Sequence, residues 1–431
     1  MSETKTRSGG WALRFFTIWT GQALSLLGSN IAQFALVWWV TKTTGSATVL
    51  ATATLVALLP QVFLGPMVGA LVDRWDRRKV MIVADSGIAL VGVVLVYLFW
   101  ADLLAIWHIY VLMLVRALGG TFHSPAMQAS TSLMVPEKHL PRVAGANQTL
   151  GGALNVIGPP LGALLMEIMA LYSIMAIDVV TALFAIVPLF FVAIPNPPKK
   201  AVQKGLASLW ADVKEGLRYI WDWPGALLLC VLAMILNFFI SPAMRLMPML
   251  IKEHFQGGAL ELSWLQSAWG LGLVMGGVLL SVWGGFKRRI ITALMGIVGL
   301  GVGALIVGLV PADGLLIAIG ALFFGAVMNA LCNGSLMALV QTVTPPEMQG
   351  RFFTVLGSLT AAMIPLGMAI GGPAADRWGT RMLFVIAGIM QIAVGLGGFF
   401  VPVLMRLEDQ RRPVAAEEVA MAAGPAETSV V

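Results

Sequence analysis

Of the 431 residues, 58% are hydrophobic and only 11% charged, against about 25% charged in soluble domains. Such a chain does not fold as a water-soluble globule; it belongs in a bilayer, where a crossing helix needs about 18 or more consecutive apolar residues. The net charge of +6 would otherwise suggest an acidic partner, but its distribution gives it another origin.

Apolar runs set off by charged or Pro/Gly breaks predict twelve spans, near 13–40, 48–72, 80–100, 104–134, 143–167, 171–194, 224–250, 259–284, 289–310, 313–341, 351–375 and 379–404. The run after the basic N-terminus is too long for a signal-peptide core, so the first span is expected to stay as an anchor. Between spans 6 and 7 the chain reads PNPPKK, and then Leu209, Val213, Leu217 and Ile220 recur at helical spacing behind Ser208 as an N-cap. This predicts an amphipathic helix lying on the membrane surface. The domain reading is a six-helix bundle over 1–194, a linker over 195–223, a second bundle over 224–405 and a disordered tail over 406–431.

With this layout the segments on the side of the termini hold 21 of the 27 Lys and Arg residues, the opposite loops hold 4, and Arg116 and Arg245 fall inside spans. The positive-inside rule then places both termini in the cytoplasm. The excess of positive charge follows from topology, and no nucleic-acid partner is expected. Cys230 and Cys332 sit in spans without paired spacing and read as buried thiols. No metal-ligand spacing, phosphate-cradling loop or nucleophile–base pattern is visible, which argues against an enzyme.

The two halves echo one another. GALVDRWDRRK (69–79) aligns with GVLLSVWGGFK (277–287) at an offset of 208, and VPEKHLPR (135–142) mirrors TPPEMQGR (344–351) at an offset of 209. In the first copy Arg74, Arg77, Arg78 and Lys79 anchor the loop inside, but Asp73 at the end of span 2 needs a partner, because an unpaired carboxylate beside lipid is costly. Arg116, about ten residues into span 4, is costly for the same reason, roughly 2.5–3.5 kcal/mol on insertion scales. His123, seven residues on, shares its helix face and reads as a polar residue near the inner interface. Asp85 and Asp178, carboxyls within apolar spans, are the candidates for loading and releasing a proton.

Gly69-x-Leu71-x-Asp73-Arg74-x-x-Arg77-Arg78-Lys79 resembles the signature loop of the major facilitator superfamily, with Asp76 where that motif has glycine. VRALGG around Arg116 resembles that family's Arg-x-x-polar-Gly motif, and Gly158-Pro159-Pro160-Leu161-Gly162 its exporter motif, with Ala163 in place of the last glycine. Phrases such as FFTIWTGQALSL (15–26), FHSPAMQASTSLMVPE (122–137) and PPEMQGRFFTVLGSL (345–359) are similar to the bacterial macrolide-efflux subfamily.

The resemblance implies an all-α membrane protein, with twelve transmembrane helices in two pseudo-symmetric six-helix bundles. It further implies a monomeric drug/proton antiporter of the bacterial cytoplasmic membrane, which moves an amphipathic small molecule and uses the proton gradient in place of a cofactor. Gly69, Asp73, Arg74, Arg77, Arg78 and Lys79 would form its gate. Arg116 and Asp178 would couple the proton from the outer side, with Asp85 serving the inner side or pairing with the charged loop. Gly158, Pro159 and Gly162 would bend and pack span 5, while Gln22, Asn30, Gln33 and Asn237 would line the cargo cavity. Export of an endogenous metabolite such as a siderophore stays open, as does a non-transporting sensor on the same fold.

Overall fold

The computed structural model describes residues 10–72, 75–194, 214–215 and 217–409. Among them are twelve helices of 20 residues or more: α1 (Trp11–Thr44), α2 (Ala47–Val72), α3 (Arg77–Trp100), α4 (Ile106–Met134), α5 (Leu140–Ile168), α6 (Leu171–Phe191), α7 (Pro224–Arg245), α8 (Ala259–Trp283), α9 (Arg289–Leu309), α10 (Leu315–Val343), α11 (Pro346–Trp378) and α12 (Thr380–Phe399). Eleven are long and apolar enough to cross a bilayer. The exception is α4, which carries Arg116, His108, His123 and a run of Ser, Thr and Gln. Its polarity is spent inside the bundle, as its partners below show.

Packing repeats between the halves. Helix α1 packs on α5 and α6 as α7 packs on α11 and α12; α3 meets α4 and α6 as α9 meets α10 and α12; α2 meets α4 as α8 meets α10. The halves touch through α2 against α11 and α5 against α8, contacts that the same pseudo-symmetry exchanges. Large apolar side chains such as Val83, Leu90, Leu183, Phe190, Leu279 and Leu316 are exposed, as the outside of a bundle dissolved in lipid requires.

An even number of spans returns the chain to the face where α1 begins, called here the terminal face; the opposite one is the far face. At the far face the core is shared: Phe34, Trp38 and Ala163 pack with Met247, Leu250 and Ile251, and Ala47, Leu50 and Ala51 with Leu246, Met249 and Met368. At the terminal face each half has its own core. Phe15, Ile18, Val72, Met81 and Leu189 belong to the first; Ile220, Cys230, Ile290, Cys332, Phe352 and Leu404 belong to the second. The halves are joined at one end of a cleft whose other end lies between separate cores.

Two boundaries differ from expectation. Span 7 stops at Arg245, and a separate short helix, Met247–Glu253, runs on under the far face. The expected tail does not begin at 406: Leu407 is fully buried, Ile290 donates its backbone N–H to Glu408 (3.0 Å), and Arg288 pairs with Asp409 (3.7 Å). In the linker, Leu209 and Val213 lie outside the described residues; Ile220 and Trp223 are buried against the second bundle, while Leu217 and Trp221 are exposed.

Candidate functional site

Two polar clusters run along the facing sides of α1 and α4. In one, Arg116 Nη1 on α4 donates to Asp178 Oδ2 on α6 at 2.6 Å, and Ser29 Oγ on α1 donates to Asp178 Oδ1 at 2.8 Å. The side chain of Asp178 is 4% exposed and that of Arg116 14%, so the ion pair is nearly dry and its two charges compensate each other. In the other, Gln22 Nε2 on α1 donates to Asp85 Oδ2 on α3 at 2.9 Å, and His123 Nε2 on α4 lies 3.3 Å from Asp85 Oδ1. Gln22 to Ser29 and His123 to Arg116 are both seven residues apart, two helical turns or roughly 10 Å, so each helix presents one member to each cluster.

This corrects one expectation and gives Asp85 its partners. His123 is no bystander at the interface; it faces a buried carboxylate across the α3–α4 contact. Asp85 takes Gln22 and His123 as partners, in the interior of the bundle. Ser29 went unnoticed because a serine in a span leaves no mark in the sequence; only the α1–α6 contact reveals that it bridges the pair.

Of the charged loop, Asp73 and Arg74 lie outside the described residues. The remainder ties helices together within the first half. Asp76 N-caps α3, accepting from the Lys79 backbone N–H at 3.2 Å, which explains why a carboxylate suits the position. Arg77 is buried and donates to the Ala129 carbonyl of α4 at 3.3 Å; Arg78 donates to the last carbonyls of α6, Leu189 and Phe190, where a helix C-terminus favours a cation. The second copy behaves alike: Arg289 donates to the Ala338 carbonyl of α10 at 2.8 Å.

In span 5, a Cβ on Gly162 would stand 2.9 Å from the Phe34 ring, so α1 and α5 approach too closely for any other residue there. Gly158 lies against Asn30, and Pro159 falls inside the helix. One turn before them α5 meets the second half: Ser267 of α8 donates to the Val156 carbonyl at 3.0 Å.

The four expected cavity residues do not share one cavity. Gln22 lines a space of about 480 Å³ in the first half, together with Trp19, His123 and Asn147. Asn237 lines one of about 430 Å³ in the second half, with Ser241, Asn329, Asn333 and Gln391. Gln33 lines a third, of about 240 Å³, between the halves. Asn30 turns back to the Leu26 carbonyl of its own helix at 2.8 Å. Arg245 lines both the second and the third space, at their junction.

The far face carries a charged seal that sequence reasoning missed. Asp376 at the end of α11 accepts from the backbone N–H groups of Ala47 (2.6 Å) and Thr48 (3.0 Å) and from Ser46 Oγ (3.0 Å), capping the N-terminus of α2. Two residues upstream of that cap, α1 ends, and Lys252 of the second half donates to its carbonyls at Thr41 (2.9 Å) and Lys42 (3.1 Å). An acid thus sits on a helix N-terminus and a base on a helix C-terminus, the favourable arrangement in each case. Beside them burial pushes the Glu253 carboxyl upward, and the Asp376 charge adds to this against Thr380 and Lys252. One sequence signal existed: GPAADRW (372–378), at the end of α11, repeats the pattern Gly-x-x-x-Asp-Arg-Trp of GALVDRW (69–75).

Among the described residues no cluster of three His, Cys, Asp or Glu side chains stands together as metal ligands. Cys230 and Cys332 are buried and free.

Residues 12–426 match the model of a major facilitator family described as transmembrane secretion effector. Macrolide efflux protein A of Streptococcus pyogenes is 33% identical over 386 residues, covering 90% of this chain and 95% of that protein. Multidrug efflux pump Tap of Mycolicibacterium fortuitum is 25% identical, covering 95% of this chain and all of that protein. Among solved structures, a bacterial homologue of the lysosomal transporter Spinster, in an inward-facing and unoccupied conformation, superposes with a TM-score of 0.70 at 14% identity, covering 94% of this chain and 98% of that one. A POT family transporter in complex with a thioalcohol-conjugated peptide gives 0.68 at 11% identity, covering 91% and 95%.

Proposed function

Because the chain belongs to the transmembrane secretion effector family of the major facilitator superfamily, we propose that it is a proton-driven exporter of amphipathic drugs, with macrolide-type antibiotics as the first cargo. Two supports for this reading come from the comparisons: relatives that cover nearly the whole chain bear the names macrolide efflux protein and multidrug efflux pump. The observation that carries the mechanism is the Ser29–Arg116–Asp178 cluster, a carboxylate held by a cation inside the bundle.

In this mechanism Asp178 alternates between pairing with Arg116 and carrying a proton. While ionised it holds α1, α4 and α6 together; once protonated it releases the guanidinium, and the helices are free to shift. Asp85 with His123 and Gln22, two turns nearer the terminal face, hands the proton on to that side. The lysine and arginine distribution supports a cytoplasmic terminal face. The far-face seal then corresponds to an inward-open arrangement, the state named for the Spinster homologue. Cargo enters the cleft from the cytoplasm or inner leaflet. For outward opening the Asp376 and Lys252 contacts must break, and the charged loop that follows α2 in the sequence, Asp73 included, would close the terminal face in their stead. The protein works as a monomer.

The test is erythromycin accumulation in efflux-deficient bacteria expressing the wild type or Asp178→Asn at equal levels, with and without a protonophore. Lower accumulation with the wild type, abolished by the substitution and by the protonophore, is the expected result. Equal accumulation in every arm would reject macrolide export and move the cargo to another drug or to a metabolite.

A further inference from the structure

The second half holds a polar site that the coupling scheme does not use. On α7, Asn237, Ser241 and Arg245 are four residues apart and share one face. They line the 430 Å³ space together with Asn329 and Asn333 of α10 and Gln391 of α12. Gln391 is fully buried, and neither its amide nitrogen nor its amide oxygen has a hydrogen-bond partner. A buried amide with both atoms idle is rare in a folded protein, because each unmet group costs free energy. On a cavity wall it marks a place where a ligand supplies the missing partners.

Arg245 points to the nature of that ligand. Arg245 is itself exposed amid buried neighbours, Met244 excepted, and it lines both of the cavities that meet there. Neither cavity is lined by any Asp or Glu, whereas the other intramembrane arginine, Arg116, has its own carboxylate. Guanidinium offers five donors and no acceptor, so what docks on Arg245 has to bring acceptor oxygens, and a carboxylate satisfies it best, by a bidentate pair. Trp269 supplies an aromatic face to the same cavity, and Leu229, Leu236 and Ile297 an apolar wall.

We propose that this cavity is a cargo subsite for amphiphiles that present an acceptor-oxygen head, a carboxylate above all, to Arg245, and that it disfavours an amine there. The inference rests on the reading of the cleft as the cargo pathway, and it deepens that reading by giving cargo an orientation. An amine-bearing drug binds with its carbonyl and hydroxyl oxygens toward the second half and its cation toward the Asp85 side.

The test uses the full chain in detergent and three dansyl amphiphiles of equal chain length: dansylaminoundecanoic acid, its methyl ester, and the corresponding terminal amine. Binding is read by quenching of tryptophan fluorescence. The wild type is expected to bind the acid about tenfold tighter than the ester, as a charge-assisted pair gives, and the amine most weakly. Arg245→Gln should remove the difference between acid and ester, and Arg245→Lys should keep it in part. Wild type that binds the amine as tightly as the acid, or Arg245→Gln that keeps the acid preference, would overturn the proposal. The wild-type comparison alone decides if the glutamine variant does not fold. An acid preference in a protein that does not lower drug accumulation would leave the subsite standing and remove the export reading; drug export without acid preference would do the reverse.

Discussion

The two halves share a backbone plan and differ in their chemistry. In the first, intramembrane charges come with partners: Arg116 with Asp178 and Ser29, and Asp85 with Gln22 and His123. In the second, the interior is furnished with neutral amides, Asn237, Asn329, Asn333 and Gln391, and one arginine whose cavities contain no acid. A paired charge in low dielectric stores energy that protonation can release, and so suits coupling; idle amides and an uncompensated cation suit recognition. On the proposed function, duplicated helices are divided between driving the cycle and holding the cargo.

The sharpest way to break this contrast is to remove one charge from the buried pair. Asp178→Asn or Arg116→Gln alone leaves its partner uncompensated and should cost about 3–5 kcal/mol of stability, seen as a lowered unfolding temperature in detergent. The double variant should recover most of that stability and none of the transport in proteoliposomes. Recovery of transport would assign the pair to structure alone.

Next in size are changes to the far-face seal that both halves share. A Cβ on Gly372 would stand 2.7 Å from that of Ala51 and 3.1 Å from the Thr48 Cα, so Gly372→Val should part α2 from α11 at a cost of about 1–3 kcal/mol. Asp376→Asn keeps the shape and removes the charge from the α2 N-terminus, a loss of about 0.3–1 kcal/mol. Both should lengthen the distance between spin labels at Asp102 and Asp313, in two loops of the far face, Gly372→Val the more. An unchanged distance distribution would show that the seal does not set the state of the cleft. At the bottom of the scale, the exposed i, i+4 pair Arg218–Asp222, at 3.6 Å, should contribute within about 0.5 kcal/mol; Arg218→Gln should leave unfolding temperature and export unchanged.

Much of this architecture was legible in the sequence. Apolar runs set off by breaks located the long helices, eleven of them apolar enough to cross a bilayer, because in lipid the backbone has few alternatives to a helix. Arg116 announced a buried acid through its own cost, and Asp178 was a natural candidate. What the sequence withheld was which faces meet. Ser29 is unremarkable, and Gln22 reads only as a cavity residue, until α1 is seen between α3, α4 and α6. His123 was read as peripheral because its distance from Asp85 is a property of helix packing and not of spacing along one chain. The far-face cap was half written, in GPAADRW, but its meaning needs the antiparallel pairing of α2 with α11, which puts the acid of one helix beside the first turn of the other. Arg245 does end its helix at the far face, but that two cavities meet beside it is a property of packing that the sequence does not show.

The most direct measurement of the division between halves is made on Asp178→Asn in proteoliposomes loaded with a pH-sensitive dye. Erythromycin-induced proton flux and erythromycin binding are recorded on the same preparation. The account predicts that binding persists near the wild-type affinity while the flux is abolished, since the cargo is held by the second half and the proton by the first. Flux that survives the substitution would contradict it, as would loss of binding in a variant that still folds.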